Sequence, residues 1–521
     1  MIDVVVIGAG PGGLSSSYGL ARKGYTVICI DQGSAISSSE VICMKSGGEY
    51  QKFGSLSSSP LIRNDSFSYP VDCTQSPIDY HNFCGVGGSS LLFSGQYPRL
   101  HSSDFRNQAA GSWQRKWPIT LSTLAKFYCQ NELYSGLAGL PGDPFNPDVC
   151  IVRPTVPFGV MGQKLIEGFN NLNWSWWPAY AALDINQRSR YSLSRPTNID
   201  ISDSKASARA TYYRRCLDLG VKFLLQTSVL EVIIDPLDSM KAKGVLITSQ
   251  SAGSQLIEAK AIVLAAGGIG TPRILLNSVS NSWKHGIGNN YDLVGRGLML
   301  HPWGYVDGLY KQRLDSMLGP QGCCLISQEH YQYDPAKSIV GGFTLQAVRG
   351  PWPYEGAKIW HARKKLKITR DIYEDYKKLH DHTAHLVVMV DDDPDLSNCV
   401  ALDKTSSDSY GGPGVRIKYS LSESSKRKLS SGINAARTVL KASGAAKTWC
   451  YGPVRQTGWH TLGTCCMGDE PAHSVVNKYG RVHGTANLYI ADGSVFARGG
   501  SINPANTIQS LGLYIAYHLS L

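Results

Sequence analysis

The clearest chemistry lies at the start of the chain. Gly8-Ala9-Gly10-Pro11-Gly12-Gly13 is a G-x-G-x-x-G run, and Asp31 follows eighteen residues after Gly13. Such a run can cradle a pyrophosphate. Gly8 permits a tight turn, Gly10 lets the backbone approach the diphosphate, and Gly13 lets a helix pack closely on a strand. The helix N-terminus adds roughly half a positive charge and free N–H groups. A carboxylate at Asp31 can accept hydrogen bonds from a ribose diol. A second run, Gly85-Val86-Gly87-Gly88-Ser89-Ser90, offers further backbone N–H groups to a phosphate or a flavin edge. The first run by itself does not separate NAD from FAD.

Three other clusters invite chemistry. Asp391-Asp392-Asp393-Pro394-Asp395 packs four carboxylates into five residues, which repel unless they are solvated or paired with cations. A solvated turn is the plain reading. His380, His382 and His385 resemble a metal cluster, but no acid or cysteine set completes it, and no metal is expected. The thirteen cysteines contain no C-x-x-C, which argues against a zinc ribbon or a thioredoxin-like site. Mostly free thiols in a reducing cytoplasm are expected.

The elements that must position these groups are legible in the hydrophobic pattern. A buried parallel strand is predicted over 3–7, a helix over 11–23 ended by Gly24, and a strand over 26–30. Residues 32–80 are rich in serine and turn formers and read as an irregular excursion that covers a site. A helix and then strands over 221–226 and 228–234 follow. A buried strand over 261–266 leads through Gly267-Gly268 to a helix for which Thr271 and Pro272 are suited starters. Residues 301–450 change texture. Their alternating, aromatic-rich segments over 305–310, 340–347 and 385–390 predict an antiparallel sheet. A short strand over 488–490, a turn at Asp492-Gly493 and a helix over 504–519 close the chain.

The predicted fold class is α/β: a discontinuous Rossmann-type nucleotide-binding domain with an inserted antiparallel-sheet substrate domain. The first takes residues 1–150, 201–300 and 451–521; the second takes 151–200 and 301–450. Composition agrees. The chain has 521 residues, 42% hydrophobic and 17% charged, which excludes a disordered chain. Its 51 Lys and Arg against 40 Asp and Glu give a formal charge of +11, but the basic residues are dispersed, so no nucleic-acid partner is expected. No apolar run approaches the ~20 residues of a membrane span. No secretory leader is read either, because Asp3 precedes only Val4-Val5-Val6-Ile7.

Further motifs carry a resemblance. They include Gly87-Gly88-Ser89-Ser90, Trp117-Pro118-Ile119, Ala265-Ala266-Gly267-Gly268 and Val294-Gly295-Arg296 with His301-Pro302. Later come the run from Gly458-Trp459-His460 to Gly468, then Asn487 to Ser494, and Asn503-Pro504. With the first fingerprint, these resemble the glucose–methanol–choline (GMC) oxidoreductases, a family of FAD enzymes. The spacing looks most like the sugar-oxidising branch.

That resemblance implies an extended FAD whose adenosine is held by the fingerprint and Asp31. It implies FAD contacts at Gly8, Gly10, Gly13, Gly87, Gly88, Ser89, Val229, Ala265, Asp492, Gly493 and Pro504. His460 matches the base that takes the proton of a substrate alcohol while the carbinol hydride passes to the flavin. Histidine suits this work because its pKa lies near working pH. Asn503 matches the residue that orients the substrate oxygen, and its place before Pro504 also suits a helix N-cap. Covalent-flavin members of the branch carry a histidine where Leu92 stands, so the FAD is expected to be non-covalent. Asp391 and Asp392 would face the pocket and select an amine-bearing sugar, a sharper reading than the solvated turn. The electron acceptor stays open among oxygen, a quinone and a partner protein. Two alternatives stand beside this one. A non-redox lyase of the same fold would keep an idle FAD. A pyridine-nucleotide-dependent flavoenzyme would need a second fingerprint or a C-x-x-x-x-C pair, and neither is present.

Overall fold

The structure is a computed structural model of the chain. It describes residues 2–35, 69–106, 115–184, 205–249, 253–316, 322–332, 339–349, 360–361, 364–379 and 381–521. Most of the expected covering excursion (36–68) and His380 lie outside the described residues.

Short Val- and Ile-rich runs, buried on both faces, build a parallel sheet. Ile2–Ile7 pairs in parallel with Val27–Ile30 on one side and with the end of Gly253–Leu264 on the other. Lys222–Leu224 extends the sheet past Val27–Ile30, and Leu488–Ile490 adds beside residues 262–264. Segments from both ends and the middle of the sequence thus share one sheet. The strand expected over 261–266 is the buried end of the longer Gly253–Leu264. Residues 253–258 instead pair antiparallel with Asp238–Ser249, which pairs with Thr227–Asp235. Side chains are mostly exposed as far as Glu258 and buried from Ala261 onward, where the strand enters the core.

The helix Pro11–Arg22 starts with proline in its first turn and ends near Gly24, whose φ is +85°. The terminal helix Ala505–His518 packs against it. A Cβ on Gly512 would stand 2.2 Å from Ser15 Oγ and 2.7 Å from the Gly12 carbonyl oxygen, so glycine sets how closely the two helices approach.

The helix after Gly253–Leu264 begins at Gly267, four residues before the expected start, and runs to Asn277. Pro272 therefore lies inside it and cannot donate to the Gly268 carbonyl. Thr464 supplies the missing bond, its Oγ1 donating to that oxygen at 2.7 Å.

The second sheet has six strands in the order Lys447–Tyr451, Trp303–Leu309, Thr383–Val390, Phe343–Val348, Cys323–Ser327 and Trp177–Pro178. All neighbours are antiparallel. Every residue of Thr383–Val390 is buried, and the helix Glu423–Ala442 packs on this sheet. His385 on that strand bonds Asp307 on its neighbour at 2.8 Å, a cross-strand pair. A third sheet joins Val71–Gln75, Pro413–Lys418 and Cys399–Ser407.

Most described cysteines are free thiols, with one exception. Cys129 and Cys150 form a disulfide, while ten other described cysteines are free. Among the described residues, no helix is long and apolar enough to cross a membrane.

Candidate active site

The fingerprint turn is held by the acid that the sequence singled out. Asp31 Oδ2 accepts from the Ala9 amide at 2.7 Å, and Oδ1 accepts from Gly33 at 2.8 Å. The carboxylate therefore shapes the loop besides facing the cavity. Gly13 does what close packing requires: a Cβ there would stand 1.7 Å from the Gly8 carbonyl oxygen. Gly8 itself has φ +104°.

The second glycine loop packs against the first. Gly87 donates its amide to the Ala9 carbonyl at 2.8 Å, and a Cβ on Gly88 would come within 2.9 Å of Gly10 Cα. Ser89 Oγ donates to Asn82 Oδ1 at 2.5 Å and accepts from Phe83 N at 3.2 Å. Leu92 is buried with Phe83 and Leu91 and offers no nucleophile.

One cavity of about 1050 Å³, counting its open mouth, gathers much of the predicted set. Gly8, Gly10, Asp31, Gly88 and Ser89 line it, as do Val229 and Ala265. Asp492, Gly493, His460 and Pro504 complete the predicted part of the wall. Gly13 and Gly87 lie behind the wall as packing residues, and Asn503, Asp391 and Asp392 are not part of it.

The cavity suits an extended dinucleotide. Its wall keeps bare backbone where side chains would intrude. A Cβ on Gly10 would meet nothing closer than 3.9 Å, and one on Gly267 nothing within 4 Å. The Asp492 carboxylate is taken up by protein donors: the Gly267 and Ser494 amides and the Thr271 hydroxyl, at 2.9, 2.8 and 2.6 Å. Burial pushes its pKa up.

The His460 loop is pressed onto two glycines. A Cβ on Gly268 would lie 2.3 Å from the Thr461 carbonyl oxygen, and one on Gly493 2.9 Å from it. His460 is half-buried and opens to the cavity, with the Trp303 ring centroid 5.7 Å away. Its surroundings, and then the adjacent His301, hold its pKa well below the ordinary histidine value. The imidazole is therefore neutral at pH 7, the form in which it can accept a proton.

Asn503 is not the cap of the last helix. The helix starts at Ala505 with Pro504 at the capping position and no side-chain cap bond. Asn503 Oδ1 instead accepts from Gln346 Nε2 at 3.1 Å. Thr344, on the same strand, donates Oγ1 to the Ser501 carbonyl at 2.6 Å. The antiparallel sheet thereby fastens the loop that carries Asn503.

The acidic run is neither a solvated turn nor a lining of this cavity. Asp391, Asp392 and Asp393 are all buried. Asp391 pairs with Arg498 at 2.6 Å and Asp393 with Lys428 at 2.7 Å. Burial works to raise Asp391, but Arg498 and Lys428 outweigh it and hold the carboxyl below its usual range. Asp392 accepts from the Leu300 amide, Tyr419 Oη and Ser425 Oγ. Burial raises its pKa to about 6. The amine-selecting role expected for Asp392 is corrected accordingly, since its acceptors are spent on the fold.

His301 and Gln346 were not assigned roles from sequence. His301 stood in a recognisable His-Pro pair, but its contact with His460 spans 159 residues. No local signal pointed to Gln346.

A fingerprint turn on a parallel sheet, a glycine-walled cavity and a histidine opening into it fit a dinucleotide-dependent oxidoreductase, and the family matches make that dinucleotide FAD. Residues 3–66 match the model of the FAD binding domain, and residues 158–303 and 394–512 match the two models described as GMC oxidoreductase. The chain is 30% identical over 534 positions to the 2-methyl-1,2-propanediol dehydrogenase of Mycolicibacterium austroafricanum, covering 99% of this chain and 95% of that one. It belongs to the GMC oxidoreductase family and is an FAD-dependent alcohol oxidoreductase. It is also 24% identical to the fructose dehydrogenase large subunit of Gluconobacter japonicus, over 99% of this chain and 97% of that one. Identity to the paromamine 6'-oxidase of Streptomyces fradiae is 26%, over 98% and 90%. Its fold matches the crystal structure of pyridoxine 4-oxidase from Mesorbium loti with a TM-score of 0.66 over 99% of both chains, at 14% identity.

Proposed function

We propose that the chain oxidises a carbinol of a sugar-like or aminosugar alcohol, with His460 accepting the hydroxyl proton and Asn503 orienting the substrate oxygen. The observation that carries this reading is His460 in the wall of the cavity that Gly10, Asp31 and Asp492 also line, with Pro504, the neighbour of Asn503, beside them. Bound FAD supplies the two-electron acceptor. A neutral His460 can take the hydroxyl proton as the C–H bond breaks. Gln346 engages the Asn503 carbonyl oxygen, which leaves the Asn503 N–H₂ to donate to the substrate oxygen.

The substrate class is supported by what the fructose dehydrogenase and paromamine oxidase relatives are named for. Asp391 lends it no support, because its charge is matched by Arg498. We further assign residues 1–150, 201–300 and 451–521 to the flavin domain, and 151–200 and 301–450 to the substrate domain. The FAD is held non-covalently, with Leu92 at the position where a linking histidine would stand. Acid precipitation should leave all the flavin in the supernatant.

Anaerobic mixing with 2-methyl-1,2-propanediol, fructose and paromamine tests the function. At least one sugar or aminosugar should bleach the yellow flavin, and readmitting oxygen, a quinone or a dye then identifies the acceptor. A flavin that stays oxidised while an alcohol is consumed would point to the lyase instead. His460→Ala should slow bleaching about 10²–10⁴-fold.

A further inference from the structure

We propose that His301 is a positioning residue for His460: it accepts a hydrogen bond from His460 Nδ1 and thereby leaves the His460 lone pair on Nε2. The inference rests on the reading of His460 as proton acceptor and deepens it.

The pairing is set by backbone register. Met299 and Leu462 form an antiparallel bridge and exchange both amide-to-carbonyl bonds, at 3.0 and 3.1 Å. Two residues further along each segment, in opposite directions, come His301 and His460. Their Nδ1 atoms lie 3.1 Å apart, with the rings nearly perpendicular at 85°. Two nitrogens so placed need one hydrogen between them: one must carry N–H and the other a lone pair.

The surroundings of His301 favour its hydrogen on Nε2, which faces backbone. The ring is fully buried, and its Nε2 faces Gly499, where an added Cβ would stand only 2.3 Å away. Burial is the largest influence on this ring and lowers its pKa to about 4, so it is neutral and carries a single hydrogen. The Asp391 carboxylate and the backbone of Gly499 and Gly500, which lies beside Nε2, act the other way. With the hydrogen on Nε2, His301 Nδ1 must accept, and His460 must donate through Nδ1. His460 Nε2 is then the atom free to take a substrate proton. His301 also holds φ +48°, a backbone region that residues with side chains seldom adopt. That strained backbone is kept at the residue that meets His460. Gly499 thus has a purpose, because any side chain there would displace the imidazole.

The test is ¹⁵N NMR of the histidine-labelled holoenzyme near neutral pH, with signals assigned from His460→Ala and His301→Leu. Wild type should show His460 protonated on Nδ1 and bare on Nε2. His301→Leu should lose that preference and slow flavin reduction by the fastest alcohol of the panel about 10–100-fold, with half-saturation little changed. His301→Gln, whose Oε1 can accept the same bond, should recover most of the rate. His460 protonated on Nε2 in the wild type would overturn the proposal, as would an undiminished rate in His301→Leu. Should His301→Leu lose its flavin, the wild-type spectrum and the Gln variant decide. Wild-type reduction by His460→Ala would sink the base reading instead, while the spectrum would still report on the hydrogen bond.

Discussion

Arg498 and Asp391, 107 residues apart, form an ion pair of 2.6 Å in which both side chains are largely buried. Arg498 leads into Gly499, Gly500 and Ser501 and so to Asn503. Asp391 ends the central strand region of the antiparallel sheet. The pair ties the loop of the amide to the sheet that also bonds it through Thr344 and Gln346.

Asp391→Asn leaves Arg498 short of its main counter-charge. Breaking such a pair costs about 3 kcal/mol. Asp104 also acts on Arg498 and softens the loss. The urea midpoint should fall, and rates on neutral and amino sugars should fall together. A loss confined to the KM for aminosugars would restore Asp391 as a substrate contact.

Asp104 gives a pH dependence of defined sign. Burial, then Asp391, raises its pKa to about 7, while the unfolded chain has the ordinary aspartate value near 4. Between these values the folded state binds more protons, so this group's contribution to stability is full below about pH 4 and is lost as pH rises through 7. Asp104→Asn keeps an oxygen to accept from His101 N and Tyr331 Oη. The variant should flatten the urea-stability profile between those pH values. An unchanged slope would show that Asp104 is ionised throughout.

Asp31→Asn keeps the side chain's size but leaves one acceptor oxygen, so only one of the Ala9 and Gly33 amides keeps its bond and the other faces the new NH₂ group. A loss of about 2 kcal/mol corresponds to FAD held about 30-fold more weakly. Flavin retention on dilution, followed by fluorescence, measures it. Equal retention would mean that the carboxylate supports neither the loop nor the cofactor.

The depressed pKa of His460 moves the acid limb of the rate profile. Burial of the ring and then His301 hold it well below the ordinary histidine value, so it takes up its proton only at lower pH than a free histidine does. The kcat/KM for alcohol oxidation should be flat from neutral pH down past 6.5 and fall only below that. A limb at or above 6.5 would assign the controlling proton to another group.

Much of this protein was legible in its residues because the signals are local. A glycine run between an apolar strand and an amphipathic helix has few other uses, and Asp31 sits where the next strand must end. These features placed the turn, the parallel strands and most of the cavity wall. The helix boundary at Gly267 was missed because proline usually starts helices, and only the distant Thr464 makes an internal one affordable.

Charge runs and polar residues carry no such local constraint. Four aspartates in five residues look solvent-facing until Arg498 and Lys428, from other parts of the chain, arrive to neutralise two of them. The sequence alone therefore determined the nucleotide-binding half, its acid and the histidine motif. Only the tertiary structure decided which groups hold that histidine and the amide. His301, Gln346 and Arg498 take their partners from over a hundred residues away, and long-range pairing is fixed by sheet register and burial rather than by any pattern along the chain.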